Sequence, residues 1–146
     1  MKIRTAKAED LELLSPLFDS YRVFYKRESD LKAAREFLAQ RFAKEDSVVF
    51  LALSEDGKGL GFTQLYPLFS SVSMQPVYVL NDLFVHETSR GQGVGAALMK
   101  HAMEFARAKN CRGLTLETGI DNPARYLYER LGFKKDSEVF HYTWEI

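Results

Sequence analysis

The chain has a single cysteine among 146 residues, so Cys111 can form neither an internal disulfide nor part of a multi-cysteine zinc site. It reads as a small buried apolar residue near the start of a strand. Neither sign of charge is in excess. Twenty Lys and Arg balance twenty Asp and Glu, which excludes a chain-wide basic surface for nucleic acid. No apolar run approaches the roughly 18 residues of a membrane span. The opening "MKIRTAKAED" has no signal-peptide core. Repeats, low-complexity tracts and Pro/Gly-rich linkers are absent too. What remains is one domain over residues 1–146, expected in the cytoplasm, with no nucleic-acid or membrane partner. Its 46% apolar residues are enough for an ordinary globular core.

The periodicity alternates between two kinds. "KIRTAK" reads as a short strand. Leu11, Leu14, Leu17, Phe18, Tyr21 and Phe24 or Tyr25 then recur at helical spacing. Pro16 falls inside that stretch, so a kink or break is expected near Ser15. "SDLKAAREFLAQRFAK" is a second helix, capped by Ser29 or Asp30, with Leu31, Ala34, Phe37, Leu38 and Phe42 as its buried stripe. Strands are expected at Val48–Leu53 and Leu60–Tyr66 around an Asp56-Gly57 turn, and at Val77–Val85 after a loop through "SSVSMQP". Next come a helix to about Lys109, a strand over Arg112–Thr118 and a short helix in "NPARYLYERLG" with Gly132 just past its end. "FKKDSEVFHYTWEI" reads as one or two closing strands. The order implies a mixed sheet with helices on its faces, of the α/β or α+β type.

One stretch breaks the usual rules. "SRGQGVGAALMKHA" places Gly91, Gly93 and Gly95 where a helix is about to begin, although glycine in a helix costs about 0.5–1 kcal/mol against alanine. The amides at a helix start have no partner within the helix, and that end is electropositive. Bare glycines there let a diphosphate sit directly on the N–H groups, with Arg90 adding a positive charge. A flexible loop entering a helix is the plainer alternative. A dinucleotide fingerprint is another, since "GQGVGA" fits G-x-G-x-x-A and Glu117 stands where a ribose-binding acid would. Against it, "HETSR" separates Val85 from Gly91, and too little chain lies beyond Thr118 for further βα units.

On these residues, the sequence resembles the GNAT superfamily of acetyl-CoA-dependent N-acetyltransferases. Arg90-Gly91-Gln92-Gly93-Val94-Gly95 meets its signature (R/Q)-x-x-G-x-(G/A). "LNDLFV" upstream is similar to its fourth strand, "NPARYLYERLGF" to its A-x-x-L-Y-x-x-x-G-F segment, and "IRTAKAEDLELL" to its opening. A weaker likeness joins "GFTQLYPLFSS…LNDLFV" to the diamine acetyltransferase-like branch. The resemblance implies a single-domain α+β fold, with a mixed, mostly antiparallel sheet splayed between strands four and five and flanked by about four helices. It implies acetyl-CoA as co-substrate, with the pyrophosphate held by the amides of Gly91, Gln92, Gly93, Val94, Gly95 and Ala96. Backbone groups near Leu83, Phe84 and Val85 would pair with the pantetheine arm, and Asn122 resembles a position that also bonds it. Here the chain has one residue fewer than the family between that asparagine and the tyrosine.

For chemistry, the same likeness makes Tyr128 the general acid to the departing thiolate; packing on the sheet is the other reading, and Tyr126 offers itself in the same helix. Asn81 stands where diamine-type relatives carry a glutamate and cannot take a proton at neutral pH. Asp82 is the remaining acid, either a helper in water-mediated deprotonation or a structural acceptor. His86 and His141 read as surface or packing residues. Tyr25 and Glu28, with Tyr21 and Asn81, would contact a small amine or polyamine-like acceptor. No metal ligand set is expected. The resemblance also implies a homodimer through the later strands, for which the apolar "VFHYTWEI" would serve. The alternative functions are a non-catalytic acyl-CoA sensor of the same fold and a protein or amino-acid N-acetyltransferase.

Overall fold

The computed structural model describes residues 1–146, in the order β1 (Lys2–Thr5), α1 (Leu11–Phe24), α2 (Leu31–Lys44), β2 (Val48–Leu53), β3 (Gly59–Ser70), β4 (Gln75–Val85), α3 (Val94–Ala108), β5 (Leu114–Thr115) and α4 (Ala124–Arg130). Short 3-10 turns at Ala8–Asp10 and Glu87–Ser89 lead into α1 and toward α3. The five strands form one sheet in sequence order. β1 to β4 pair antiparallel and β5 joins β4 in parallel. This is the mixed, mostly antiparallel α+β sheet with four helices that the resemblance implies, and it is not a doubly wound dinucleotide fold.

Each face of the sheet carries its own core. On one side Leu14, Leu17 and Phe18 of α1 and Ala34 and Leu38 of α2 pack on Val49, Leu51, Phe62 and Phe84. On the other, Val94, Leu98, Met99 and Ala102 of α3 and Tyr128 of α4 pack on Phe50, Ala52, Leu65 and Leu80. Leu38 and Leu98 are fully buried, and truncating either to alanine would cost about 2–5 kcal/mol.

Two irregularities in β4 set up the functional face of the sheet. β5 pairs with it only at Tyr78↔Leu114 and Val79↔Thr115, so from Leu80 to Val85 the strand has no neighbour on that side. In the pairing with β3, Gln64 faces Asp82 while the next residue, Leu65, faces Leu80. Asn81 is the extra residue of a β-bulge. In a regular strand Leu80 and Asp82 would share a face. Here Leu80 packs beneath α3 and Asp82 turns toward α1.

Several local expectations need correction. α1 runs through Pro16 without a break, because its sixth position forfeits only one bond, to a carbonyl in the helix's first turn. Phe24, Tyr25, Leu31 and Phe37 are exposed rather than part of buried stripes. β3 extends to Ser70, and the strand expected over Arg112–Thr118 shrinks to two residues. Cys111 is only partly buried. Beyond α4 there is no closing strand: residues 134–146 carry no regular structure, and Phe140, Tyr142, Trp144 and Ile146 are exposed. Alternation supplies a strand-like pattern, but a strand also needs a paired neighbour, and this segment pairs with neither open edge of the sheet.

Candidate active site

The glycine loop ends in a sharp entry to α3. Gly91 (φ 74°) and Gly93 (φ 80°) both lie in the left-handed region, where a side chain is strained. A Cβ at either would meet nothing within 4 Å, so the glycines answer a backbone demand and not internal crowding. The first helical bond runs from the Ala97 amide to the Gly93 carbonyl. The six amides before it, from Gly91 to Ala96, donate to no protein acceptor. No acidic side chain stands in the first turn of α3. A run of free donors at the positive end of a helix suits a phosphate or diphosphate.

Arg90 turns away from those amides. Its Nε donates to the Val85 carbonyl at 3.1 Å, and its guanidinium lies 5.7 Å and 5.8 Å from the ring centres of Phe24 and Phe84. Gln92 likewise folds back, with Nε2 donating to the Thr88 carbonyl at 3.0 Å. Gly95 faces Leu127 and Val85 at ordinary contact distance, 3.5–3.6 Å for an added Cβ.

Along β4, the His86 amide donates to Leu60 of β3. Antiparallel alternation then sends the amides and carbonyls of Phe84 and Asp82 to β3, and those of Val85 and Leu83 outward into the gap. The Phe84 carbonyl lies so close to β3 that a Cβ on Gly61 would meet it at 2.5 Å. Leu83 therefore has both main-chain groups to offer an extended ligand and Val85 its amide, its carbonyl already accepting from Arg90, while Phe84 contributes its ring to the α1 core.

Tyr128 is buried between the sheet and Phe133, whose ring centre is 6.3 Å away. Its hydroxyl has no hydrogen-bond partner in the protein. Burial first, and then the nearby Tyr25 phenol, raises its pKa above the ordinary value of about 10, so it holds its proton at neutral pH. Tyr126 is exposed and accepts a bond from Arg125 at 2.9 Å. Asn122 caps α4, its Oδ1 accepting from the Ala124 amide at 3.0 Å, which leaves Nδ2 as its free donor.

On the α1 face of the bulge a polar cluster is sealed into the sheet. Gln64 Nε2 donates to Asp82 Oδ2 at 2.7 Å, and Asn81 Nδ2 donates to Oδ1 at 3.0 Å. From the opposite face of the sheet, Thr63 Oγ1 donates to the Asp82 carbonyl at 2.8 Å. Burial raises the Asp82 pKa, opposed by hydrogen bonds from Gln64, Tyr21 and Asn81. Burial and the Asp82 charge push Tyr66 up to about 12 and Tyr21 higher still. Gln64 Oε1 is buried with no partner. Tyr25 and Asn81 are exposed beside this cluster, and Glu28 is exposed with its carbonyl taken by Arg22 Nη1 at 3.3 Å.

Residues 13–133 match the Acetyltransferase (GNAT) family. The chain is 46% identical to the uncharacterized N-acetyltransferase YhfO of Bacillus subtilis (strain 168), covering 100% of this chain and 98% of that protein. It is 31% identical to a probable acetyltransferase of Haemophilus influenzae, covering 92% and 90%. A crystal structure of a probable acetyltransferase superposes with a TM-score of 0.95 at 42% identity, covering 100% and 98%. This chain belongs to the GNAT family. It is an acetyltransferase, and acetyl-CoA is its co-substrate.

The acetyltransferase's own atoms fit that co-substrate: free amides at α3 for a diphosphate, and outward main chain at Leu83 and Val85 for an amide-bearing arm. Sequence reasoning missed Gln64, Tyr66 and Asp19. Gln64 had one visible signal, a polar pair "TQ" inside an otherwise apolar strand. Asp19 and Tyr66 had none.

Proposed function

We propose that this acetyltransferase moves the acetyl group of acetyl-CoA to a small primary amine by direct attack, with both substrates bound at once. The amides of Gly91 to Ala96 hold the pyrophosphate, the outward groups of Leu83 and Val85 align the pantetheine arm, and the free Nδ2 of Asn122 adds a donor. Tyr128 gives its proton to the departing sulfur. The amine nitrogen bonds the acetyl carbon as the carbon–sulfur bond breaks, and the proton lost by nitrogen leaves through water near Asn81, with Asp82 drawing the positive charge. The observation that carries this reading is the run of six unpartnered amides, together with a protonated, unpartnered phenol at Tyr128. The lone Cys111 suits a reducing cytoplasm. We also propose a homodimer covering the exposed Phe140, Tyr142 and Trp144.

Thiol release from acetyl-CoA over a panel of amines tests the activity. Turnover on at least one amine, lost in Tyr128→Phe with coenzyme binding kept, is the expected result. Tight acetyl-CoA binding with no turnover on any amine would make the protein an acyl-CoA sensor.

A further inference from the structure

α1, α2 and the turn between them line an open cleft of about 460 Å³. Its walls are aromatic: Phe18, Tyr21, Tyr25 and Phe37, with the Phe18 and Phe37 rings stacked at 5.5 Å. Its charged members are Arg22 and Arg27, and no acid lines it. Arg22 is engaged, 3.5 Å from Asp19 and donating to the Glu28 carbonyl. The Arg27 guanidinium has neither an ion pair nor a hydrogen bond within the protein.

The turn that carries Arg27 is held in place. Asp19 accepts from Ser29 Oγ at 2.6 Å and from the Asp30 amide at 2.8 Å. Burial alone would raise this carboxyl, yet those bonds and the Arg22 charge keep it below its ordinary value. Two walls of the cleft run toward β4: the Tyr21 ring packs against Phe84 at 6.4 Å between centres, and Tyr25 packs against Tyr21 at 5.0 Å.

We propose that this cleft is the acceptor subsite and that the acceptor is an amino acid with a large apolar side chain, its carboxylate paired with Arg27 and its apolar body among Phe18, Tyr21 and Phe37. This rests on the acetyltransferase reading and narrows its substrate. A planar guanidinium without a partner matches a carboxylate, and an aromatic lining rewards apolar area. A polyamine would bring further positive charge beside Arg27 and find no acid in the lining, so the polyamine-like acceptor expected from sequence fits poorly. Glu28, expected to hold a cation, does not line the cleft. The products are an N-acetyl amino acid and free coenzyme thiol, with the amine proton released to water and the phenol proton passed to sulfur.

The test compares L-phenylalanine, 2-phenylethylamine and spermidine as acceptors for the full chain. Phenylalanine should show a KM about tenfold or more below that of phenylethylamine, which lacks only the carboxylate. Arg27→Ala should raise the phenylalanine KM about tenfold with kcat held, Arg27→Lys should recover part of it, and neither should change phenylethylamine kinetics. Calorimetric binding of N-acetyl-L-phenylalanine, weakened about tenfold by Arg27→Ala, gives a readout independent of turnover. Preference for spermidine or phenylethylamine, or a phenylalanine KM indifferent to Arg27, overturns the subsite while leaving acetyl transfer intact. Absence of both turnover and N-acetylphenylalanine binding also overturns the subsite, and the wider amine panel then decides the activity separately.

Discussion

On the α3 face of the sheet the groups proposed to hold ligands are mainly main chain: six amides at a helix start and the outward edge of β4. On the α1 face they are side chains contributed by α1, β3, β4 and the α1–α2 turn. The first kind of site tolerates most side-chain changes but not a change in backbone conformation. The second depends on each side chain and on the partners that hold it.

Substitutions should separate the two faces. Gly93→Glu puts a side chain on a left-handed backbone and a negative charge among the amides, so acetyl-CoA binding should weaken by about a hundredfold or more in calorimetry. An unchanged affinity would break the main-chain account. Tyr128→Phe removes only the hydroxyl, and kcat should fall about a hundredfold with acetyl-CoA affinity held. Gln64→Met should act on the acceptor side alone. It removes a donor to the Asp82 carboxylate, so Asp82 takes up a proton at a higher pH than in the wild type. The acidic limb of activity should move upward, and the acceptor KM should rise about tenfold, while acetyl-CoA binding stays the same.

Stability should show a smaller contrast. The hydrogen bonds from Arg4, at 2.7 Å to each oxygen, hold the Asp10 carboxyl below its ordinary value. That stabilisation is present above the unfolded pKa of about 4 and is lost as pH falls through the lower folded value. Asp82, raised by burial, has the opposite sign: its ionisation costs stability as pH rises past the ordinary carboxylate range. Asp10→Asn should therefore lower stability by about 1–2 kcal/mol at pH 7 and flatten the decline below pH 4 in chemical denaturation. Pro16→Ala, smallest of all, should change it by less than about 1 kcal/mol.

The same contrast explains what could be read from the chain. A main-chain site constrains backbone angles, and glycine spacing records that constraint locally, so Gly91 and Gly93 announced the helix mouth. The strands and helices were legible for a similar reason, since burial on one face imposes a period. Gln64 and Tyr66 meet Asp82, and Asp19 meets the α1–α2 turn, only through pairing and packing, which no short stretch encodes. Pro16 misled because its effect depends on where in the helix it falls. The tail misled because its alternation describes a strand without supplying a paired neighbour.

Asn81 matters more for occupying a place in the chain than for its amide. By standing unopposed, it bends a single continuous strand at the point where the acid enters the sheet. Replacing its side chain leaves that bend intact. Deleting the residue would straighten the ladder, with Leu80 and Asp82 keeping their faces, and would remove the local twist that aims the acid toward α1, so what is lost there with length is aim and not chemistry.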